Sequence, residues 1–110
     1  MELYRRSQDA ELDGDVVVDA GAAEALSNRG RSLLSVGVLS VRGDFDRGAT
    51  VALLSGCAAG PRVALGRVAY SSEEIRAAAG LRSKQVARII DHADDREPGV
   101  VMRKHEMILC

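Results

Sequence analysis

Aromatic residues are scarce in this sequence of 110 residues, which has no tryptophan, one phenylalanine and two tyrosines. Valine, leucine, isoleucine and alanine must therefore fill the core. Hydrophobic residues make up 46% of the chain and charged residues 28%, a balance typical of a globular protein rather than a disordered one. The length suffices for a single domain with a modest core.

Long apolar runs are also missing. No stretch approaches the length needed to cross a bilayer, and the first residues, Met1 to Ser7, lack the apolar region of an export signal. We therefore expect a cytoplasmic protein that makes no contact with a membrane.

An excess of one charge is absent as well, since the formal net charge is -1. Dedicated nucleic-acid-binding proteins usually gain affinity from lysine and arginine side chains that neutralise phosphates. Any binding of nucleic acid by this chain would have to come from a local basic patch.

The residues that carry most catalytic and metal chemistry are few. Cys57 and Cys110 stand without further cysteines or histidines at ligand spacing, so the sequence predicts two reduced thiols, no metal site and no disulfide. His92 and His105 lie in no recognisable nucleophile context, and the chain has no phosphate-binding P-loop signature. We expect no catalytic residue and no cofactor in this chain.

The first half of the chain contains a short strand, a helix and a longer strand. Val16 to Val18 form the first strand, Asp19 is placed to cap a helix over residues 20–28, and Gly30 is placed to end it. Residues 33–41 read as one continuous strand, with Val36, Val38 and Ser40 on one face and Gly37, Leu39 and Val41 on the other. Residues 1–13 are polar, and we interpret them as a leader or linker remnant before one domain over 14–110.

The second half is predicted to pair strands around two short helices. A turn over 43–48 leads to strands over 50–55 and 62–69, which the loop 56–61 joins as a hairpin. Ser71 and Glu74 fit a capping box for a helix that stops at Gly80. Ser83 can cap another helix, which carries an apolar stripe of Val86, Ile89 and Ile90. Closing strands over 100–102 and 107–109 complete a small α+β fold, a β pseudo-barrel with short flanking helices.

Several stretches, taken together, resemble a known family. Residues 17–26 and 30–38 resemble the start of a PUA domain, and more narrowly the C-terminal PUA domain of bacterial glutamate 5-kinases. The turn 43–48, the strand-to-helix segment 66–74 and residues 79–86 match later parts of the same domain. The resemblance runs from about Gly14 to Leu109, with two departures. Arg103-Lys104-His105-Glu106 stands where the family has a His-Arg-Asp motif, and the basic, tryptophan-containing lead-in of the family is not visible before Gly14.

The resemblance implies a non-catalytic accessory and regulatory domain. In glutamate 5-kinases it lies beside an amino-acid kinase domain that phosphorylates glutamate with ATP in proline biosynthesis. ATP and magnesium would belong to that kinase domain, in cis or in trans, and not to this chain, which is no enzyme by itself. The alternative is an RNA-binding module of an RNA-modifying or free-standing protein, because other PUA domains bind RNA.

The resemblance also indicates where RNA or a partner would bind. PUA domains that bind RNA use the first helix, the loop after it and the last strand, which here correspond to Arg29, Gly30, Arg31, Ser32, Gly37, Arg103 and Lys104, with His105 beside them. The competing interpretation is that Gly30 merely ends the helix while the two arginines are solvated. A second basic cluster, Arg76, Arg82, Lys84 and Arg88, reads as a solvated face with local ion pairs.

Overall fold

The computed structural model describes residues 12–57, 60–89 and 99–109, which form seven strands and three α-helices. The elements in chain order are β1 (Gly14–Val18), α1 (Ala20–Arg29), β2 (Leu33–Leu34), a 3-10 turn (Ser35–Gly37), β3 (Val38–Arg42), β4 (Thr50–Ser55), β5 (Arg62–Arg67), α2 (Ser72–Ala78), α3 (Ser83–Ile89), β6 (Val100–Met102), a second 3-10 turn (Lys104–Glu106) and β7 (Met107–Leu109).

The strands form two sheets. The larger sheet has the order β3-β1-β4-β5-β7, in which β1 and β4 run parallel and all other neighbours antiparallel. The smaller sheet pairs β2 with β6 antiparallel. The parallel pair requires a crossover, which α1, β2 and β3 provide. The α+β class predicted from the sequence is confirmed.

Aliphatic side chains fill the core, as the composition requires. Buried valine, leucine, isoleucine and alanine residues from both sheets and all three helices form one cluster, with Tyr70, Phe45 and Met102 among them. A smaller cluster of Val17, Ala52 and Leu54 lies on the opposite face of the larger sheet. None of the described helices is long and apolar enough to cross a bilayer.

The predicted ends of α1 are confirmed by their contacts. The Asp19 carboxylate accepts a hydrogen bond of 2.7 Å from the Ala22 amide, which caps the helix N-terminus. Gly30 follows the last turn with φ of 61°, and its amide donates to the Ala25 carbonyl. A left-handed glycine at this position is a common helix stop.

The prediction of one strand over residues 33–41 was wrong. The segment is divided into β2, the 3-10 turn and β3, which makes four strands rather than three between α1 and α2. Ser35 and Gly37 are both buried, whereas Val36 between them is exposed and, contrary to the prediction, does not share a face with the buried Val38. A bulge opposite Val17 and Val18 then leaves Leu39 out of the pairing and exposed. The predicted alternation of faces is therefore lost.

Smaller differences concern element ends. β5 stops at Arg67 rather than at residue 69, and α3 begins at Ser83 itself, with the Arg82 amide donating to the Gln85 side chain. Of the predicted stripe on α3, Val86 is buried but Ile89 is 52% exposed. The predictions for residues 1–11, Ile90, His92, the chain break at Pro98 and Cys110 lie outside the described residues.

Candidate interaction surface

A groove of about 390 Å³ runs between α1 and the segment that follows it. We call it the α1–β2 groove. Its lining comes from α1 and its cap on one side and from residues 31–37 on the other, namely Asp19, Ala22, Ala25, Leu26, Arg29, Arg31, Ser32, Leu33, Leu34, Val36 and Gly37. Most of these side chains are apolar.

The 3-10 turn that forms one wall of the groove is fixed by hydrogen bonds. The Ser35 amide donates to Gly99 O at 2.7 Å, and the Ser35 hydroxyl donates to Leu81 O at 2.6 Å. The Ser35 carbonyl accepts from the Gly80 amide, and the Gly37 carbonyl accepts from the Asp19 amide. These contacts join the wall to α1 and to the turn between α2 and α3, so the groove is formed before any partner binds.

Gly37 allows the wall to approach α1 closely. A Cβ atom at this position would lie 2.7 Å from the Ala22 Cβ atom. The glycine predicted as part of a binding surface is buried at the groove floor, where its missing side chain permits close packing. Gly30, by contrast, has open space around it and a left-handed backbone.

Aliphatic side chains in the groove wall remain open to solvent. Leu34 is 45% exposed and Val36 is 44% exposed, while Leu26 and Leu33 at the floor are buried. Sequence reasoning did not select Leu34 and Val36, because the assumption of one continuous strand made Val36 a partner of the buried Val38. The signal available in the sequence was Gly37, which interrupts the strand pattern.

The charges at the groove lie at opposite ends of α1. Asp19 precedes the helix, whereas Arg29 is its last residue and Arg31 follows it. Because α1 has 10 residues, these charges are separated by about 15 Å along the helix axis. Both arginines are exposed.

The structure brings the two predicted parts of the surface together. β2 pairs with β6 through Leu33 and Met102, and the Lys104 amide donates to the Ser32 hydroxyl at 3.0 Å. Arg103 and Lys104 therefore lie beside the end of the α1–β2 groove that carries Arg29 and Arg31. Arg29, Gly30, Arg31, Ser32, Arg103 and Lys104 thus lie at one end of the groove, whereas Gly37 lies near the other end, beside Asp19 and Ala22.

A second, more polar groove of about 230 Å³ adjoins this region. It is lined by Gly48, Arg67, Val68, Ala69, Arg103, His105 and Glu106. Arg67 was not among the predicted site residues. Its position follows from the pairing of Gly66 with Met107, which places the end of β5 beside the second 3-10 turn.

The second basic cluster makes local contacts, as predicted, at Arg76. The Arg76 guanidinium donates to Gly43 O at 2.6 Å and lies 3.6 Å from the Asp44 carboxylate. These contacts tie α2 to the turn before β4. Glu73 and Glu74, which precede Arg76 in the first turn of α2, are not its partners in these contacts.

The described residues contain no group of histidine, cysteine, aspartate or glutamate side chains that could hold a metal ion. Cys57 is an exposed free thiol in the loop between β4 and β5. His105 is exposed and faces the polar groove.

Comparison with known proteins gives consistent matches. The family model described as PUA domain matches residues 14–90. The glutamate 5-kinase of Aromatoleum aromaticum is 42% identical over 99 residues, which are 90% of this chain and 25% of that protein. The glutamate 5-kinase of Thermus thermophilus is 44% identical over 92 residues, 84% of this chain and 24% of that protein. This chain thus spans about a quarter of the length of these relatives.

Among solved structures, a PUA domain from Aeropyrum pernix K1, determined as a tartrate complex, has a TM-score of 0.55 and 32% identity. The match covers 84% of this chain and 44% of that one. The archaeal box H/ACA sRNP Nop10–Cbf5 complex also has a TM-score of 0.55, with 18% identity over 81% of this chain and 22% of that one. At this identity the second likeness concerns the fold alone.

Proposed function

This chain belongs to the PUA domain family, and from that premise we propose that it is a non-catalytic accessory domain that acts docked against another protein domain. The partner we propose is an amino-acid kinase domain, in cis or in trans, of the kind that phosphorylates glutamate in proline biosynthesis. ATP and magnesium would bind to that domain, in the cytoplasm, and not to this one.

The extent of the similarity to glutamate 5-kinases carries this proposal. Nine tenths of the chain match a relative at 42% identity, while three quarters of that relative have no counterpart here. We therefore expect the residues that carry out the reaction named for the relative to lie in the part that has no counterpart here. The part that is present would contribute contacts and not chemistry.

The surface geometry supports a protein partner. The α1–β2 groove is lined by the exposed Leu34 and Val36 and has Arg29 and Arg31 at one end, which is the mixture of apolar and polar residues found at protein interfaces. We propose that this groove and its neighbours form the contact surface, which comprises Arg29, Gly30, Arg31, Ser32, Gly37, Arg103 and Lys104.

The proposal is tested by exchanging domains. The chain is fused to the kinase of Aromatoleum aromaticum in place of the quarter that it matches, and this chimera is compared with the full-length and truncated kinases. We expect truncation to change glutamate-dependent ADP formation or the size of the assembly, and the chimera to restore the full-length behaviour. A chimera that behaves as the truncated kinase does, or a truncation without effect, contradicts the proposal.

RNA binding is a second candidate, favoured by one observation. The hydrogen bond between Lys104 and Ser32 places Arg103 and Lys104 beside Arg29 and Arg31, so four cationic side chains share one region. Four phosphate contacts would give a logarithmic salt dependence with a slope of about −3 to −4. The region has no exposed aromatic side chain among the described residues on which bases could stack.

A salt series of titrations with structured RNA separates the two candidates. We expect feeble binding at physiological salt and little change in the double variant Arg29→Ala, Arg31→Ala. Tight, salt-sensitive binding that this variant abolishes would make RNA recognition the function.

A further inference from the structure

We infer that the α1–β2 groove binds a protein segment that has apolar side chains along its length and carboxylates at one end. The inference rests on the proposed function, which supplies the protein partner, and adds the chemistry and direction of the segment that docks. Three features of the groove carry it: the exposed aliphatic wall, the separation of charge along α1 and the fixed geometry of the 3-10 turn.

The exposed aliphatic wall of the groove favours a protein partner over a nucleic acid. Leu34 and Val36 project from the same side of the turn, on either side of the buried Ser35, and each is close to half exposed. Nucleic acids are bound mainly through phosphates, base edges and stacked rings, and an aliphatic wall without aromatic or cationic side chains of its own supplies little of this binding. Apolar side chains of a protein segment do complement leucine and valine side chains, because both surfaces leave water together.

The charged residues at the two ends of the groove indicate in which direction the bound segment runs. Arg29 and Arg31 at one end of the groove attract carboxylates and can hold them with two parallel hydrogen bonds each. Asp19 at the other end repels carboxylates and favours a neutral or basic residue there. A segment with acidic residues at one end is therefore oriented with that end beside the C-terminus of α1.

The dimensions limit the length of the segment. The groove follows α1 for about 15 Å, which corresponds to about ten helical residues or to four or five extended ones. A volume of about 390 Å³ lies in the range of binding clefts and holds a few apolar side chains. Because hydrogen bonds fix the 3-10 turn, little conformational freedom is lost when the segment binds.

The experiment measures whether the groove is covered in the chimera described above. Val36→Cys is introduced together with Cys110→Ser, and the native Cys57, which is exposed and does not belong to the groove lining, serves as the internal reference. Alkylation by iodoacetamide is followed by mass spectrometry of the labelled peptides, in the isolated chain and in the chimera. We expect the chimera to slow the labelling of residue 36 by about tenfold, equivalent to about 1.4 kcal/mol of docking, with Cys57 unchanged.

Variants in which the arginines at one end of the groove are replaced by glutamate test the direction of the bound segment. Arg29→Glu with Arg31→Glu should return the labelling of residue 36 in the chimera to the rate of the isolated chain. Arg62→Glu, an exposed arginine on β5 outside the groove lining, is the matched control and should leave the slow rate unchanged.

The remaining outcomes separate this inference from the proposed function. If residue 36 is labelled equally fast in both proteins while the chimera behaves as the full-length kinase, the groove is not the contact surface and the inference is wrong, whereas the proposed accessory role beside a kinase domain stands. If the chimera also behaves as the truncated kinase, both are wrong. If structured RNA slows labelling of residue 36 in the isolated chain, the occupant is RNA and the inference is overturned.

Discussion

Glu74 makes two kinds of contact at the start of α2. Its side chain accepts a hydrogen bond from the Ser71 amide and completes the capping box predicted from the sequence, and it also forms an ion pair with the Arg47 guanidinium. The hydrogen bonds from Arg47, together with those from Ser71, lower the pKa of Glu74 from 4.5 to about 2. The sequence predicted the cap but not Arg47, because residues 27 positions apart meet only in the folded chain.

The first prediction concerns acid pH. Since folding lowers the pKa of Glu74, its contribution to stability is complete above pH 4.5 and is lost as the pH falls toward about 2. Glu74→Gln should lower the free energy of unfolding by about 1 kcal/mol at pH 7, with the difference from wild type shrinking below pH 4.5. Urea denaturation at several pH values measures this, with the exposed Glu73→Gln as control. A difference that stays constant across the whole acid range would contradict the assignment.

The second prediction concerns the contact between Gly37 and α1. Gly37→Ala places a methyl group 2.7 Å from the Ala22 Cβ atom, so α1 and the 3-10 turn must move apart. We expect a loss of about 1–3 kcal/mol in the free energy of unfolding, measured by thermal or urea denaturation. Gly21→Ala, on the same helix with only the Asp19 carboxylate nearby, is the control and should be close to neutral.

A double variant tests whether contact between the two methyl groups causes the loss of stability in Gly37→Ala. Ala22→Gly removes the methyl group that the new side chain meets, so its effect combined with Gly37→Ala should be smaller than the sum of the two single effects. Strictly additive losses would show that the two residues do not touch.

Among the elements, those with strong local signals were predicted well. α1 has Asp19 at one end and Gly30 at the other, the hairpin of β4 and β5 has its turn residues, and α2 has its capping box. The segment 33–41 lacks such signals, and its valines and leucines fit a strand by local pattern alone. Long-range contacts, from Ser35 to Leu81 and from Gly37 to α1, break that strand, and the local sequence does not contain them.

The candidate surface, too, could be predicted only in part from the local sequence. The resemblance to PUA domains selected Arg29, Gly30, Arg31, Ser32, Gly37, Arg103 and Lys104, and the fold brings all of them except Gly37 to the same end of the groove. The exposure of Leu34 and Val36 depends on the 3-10 turn and was not foreseen. The apolar character of the groove is thus a property of the folded chain.

The third prediction tests how far α1 depends on its cap. Asp19→Ala removes the side chain that accepts from the Ala22 amide and should cost about 1 kcal/mol of unfolding free energy. Asp19→Asn keeps an oxygen that caps the helix and should cost much less, although it removes the charge. Urea denaturation of both variants measures the difference, and equal losses would mean that charge, not capping, stabilises α1.

At the scale of the whole molecule, the proposed accessory role rests on two observations. The matched relatives are about four times longer than the matched region, and the described residues of this chain present one apolar groove with basic residues at one end. An interface between domains of one polypeptide can be weak, since a tether gives an effective concentration in the millimolar range.

The fourth prediction is that the 110-residue chain has no glutamate kinase activity. A coupled assay with ATP, magnesium and glutamate should equal its blank, because the chain matches only a quarter of each relative. Turnover that scales with the concentration of the chain and persists through repeated purification would contradict the prediction.

Direct titration of this chain into the kinase of Aromatoleum aromaticum, truncated before the quarter that the chain matches, tests docking most simply. Isothermal calorimetry with the chain at up to about 1 mM reaches the concentration that a tether would provide. We predict saturable binding of one chain to one kinase, which Val36→Asp weakens and Ile108→Asp, a more exposed position on β7, leaves unchanged. The absence of saturable binding at this concentration would contradict it, and tight binding of structured RNA by the same preparation would then make RNA recognition the first candidate.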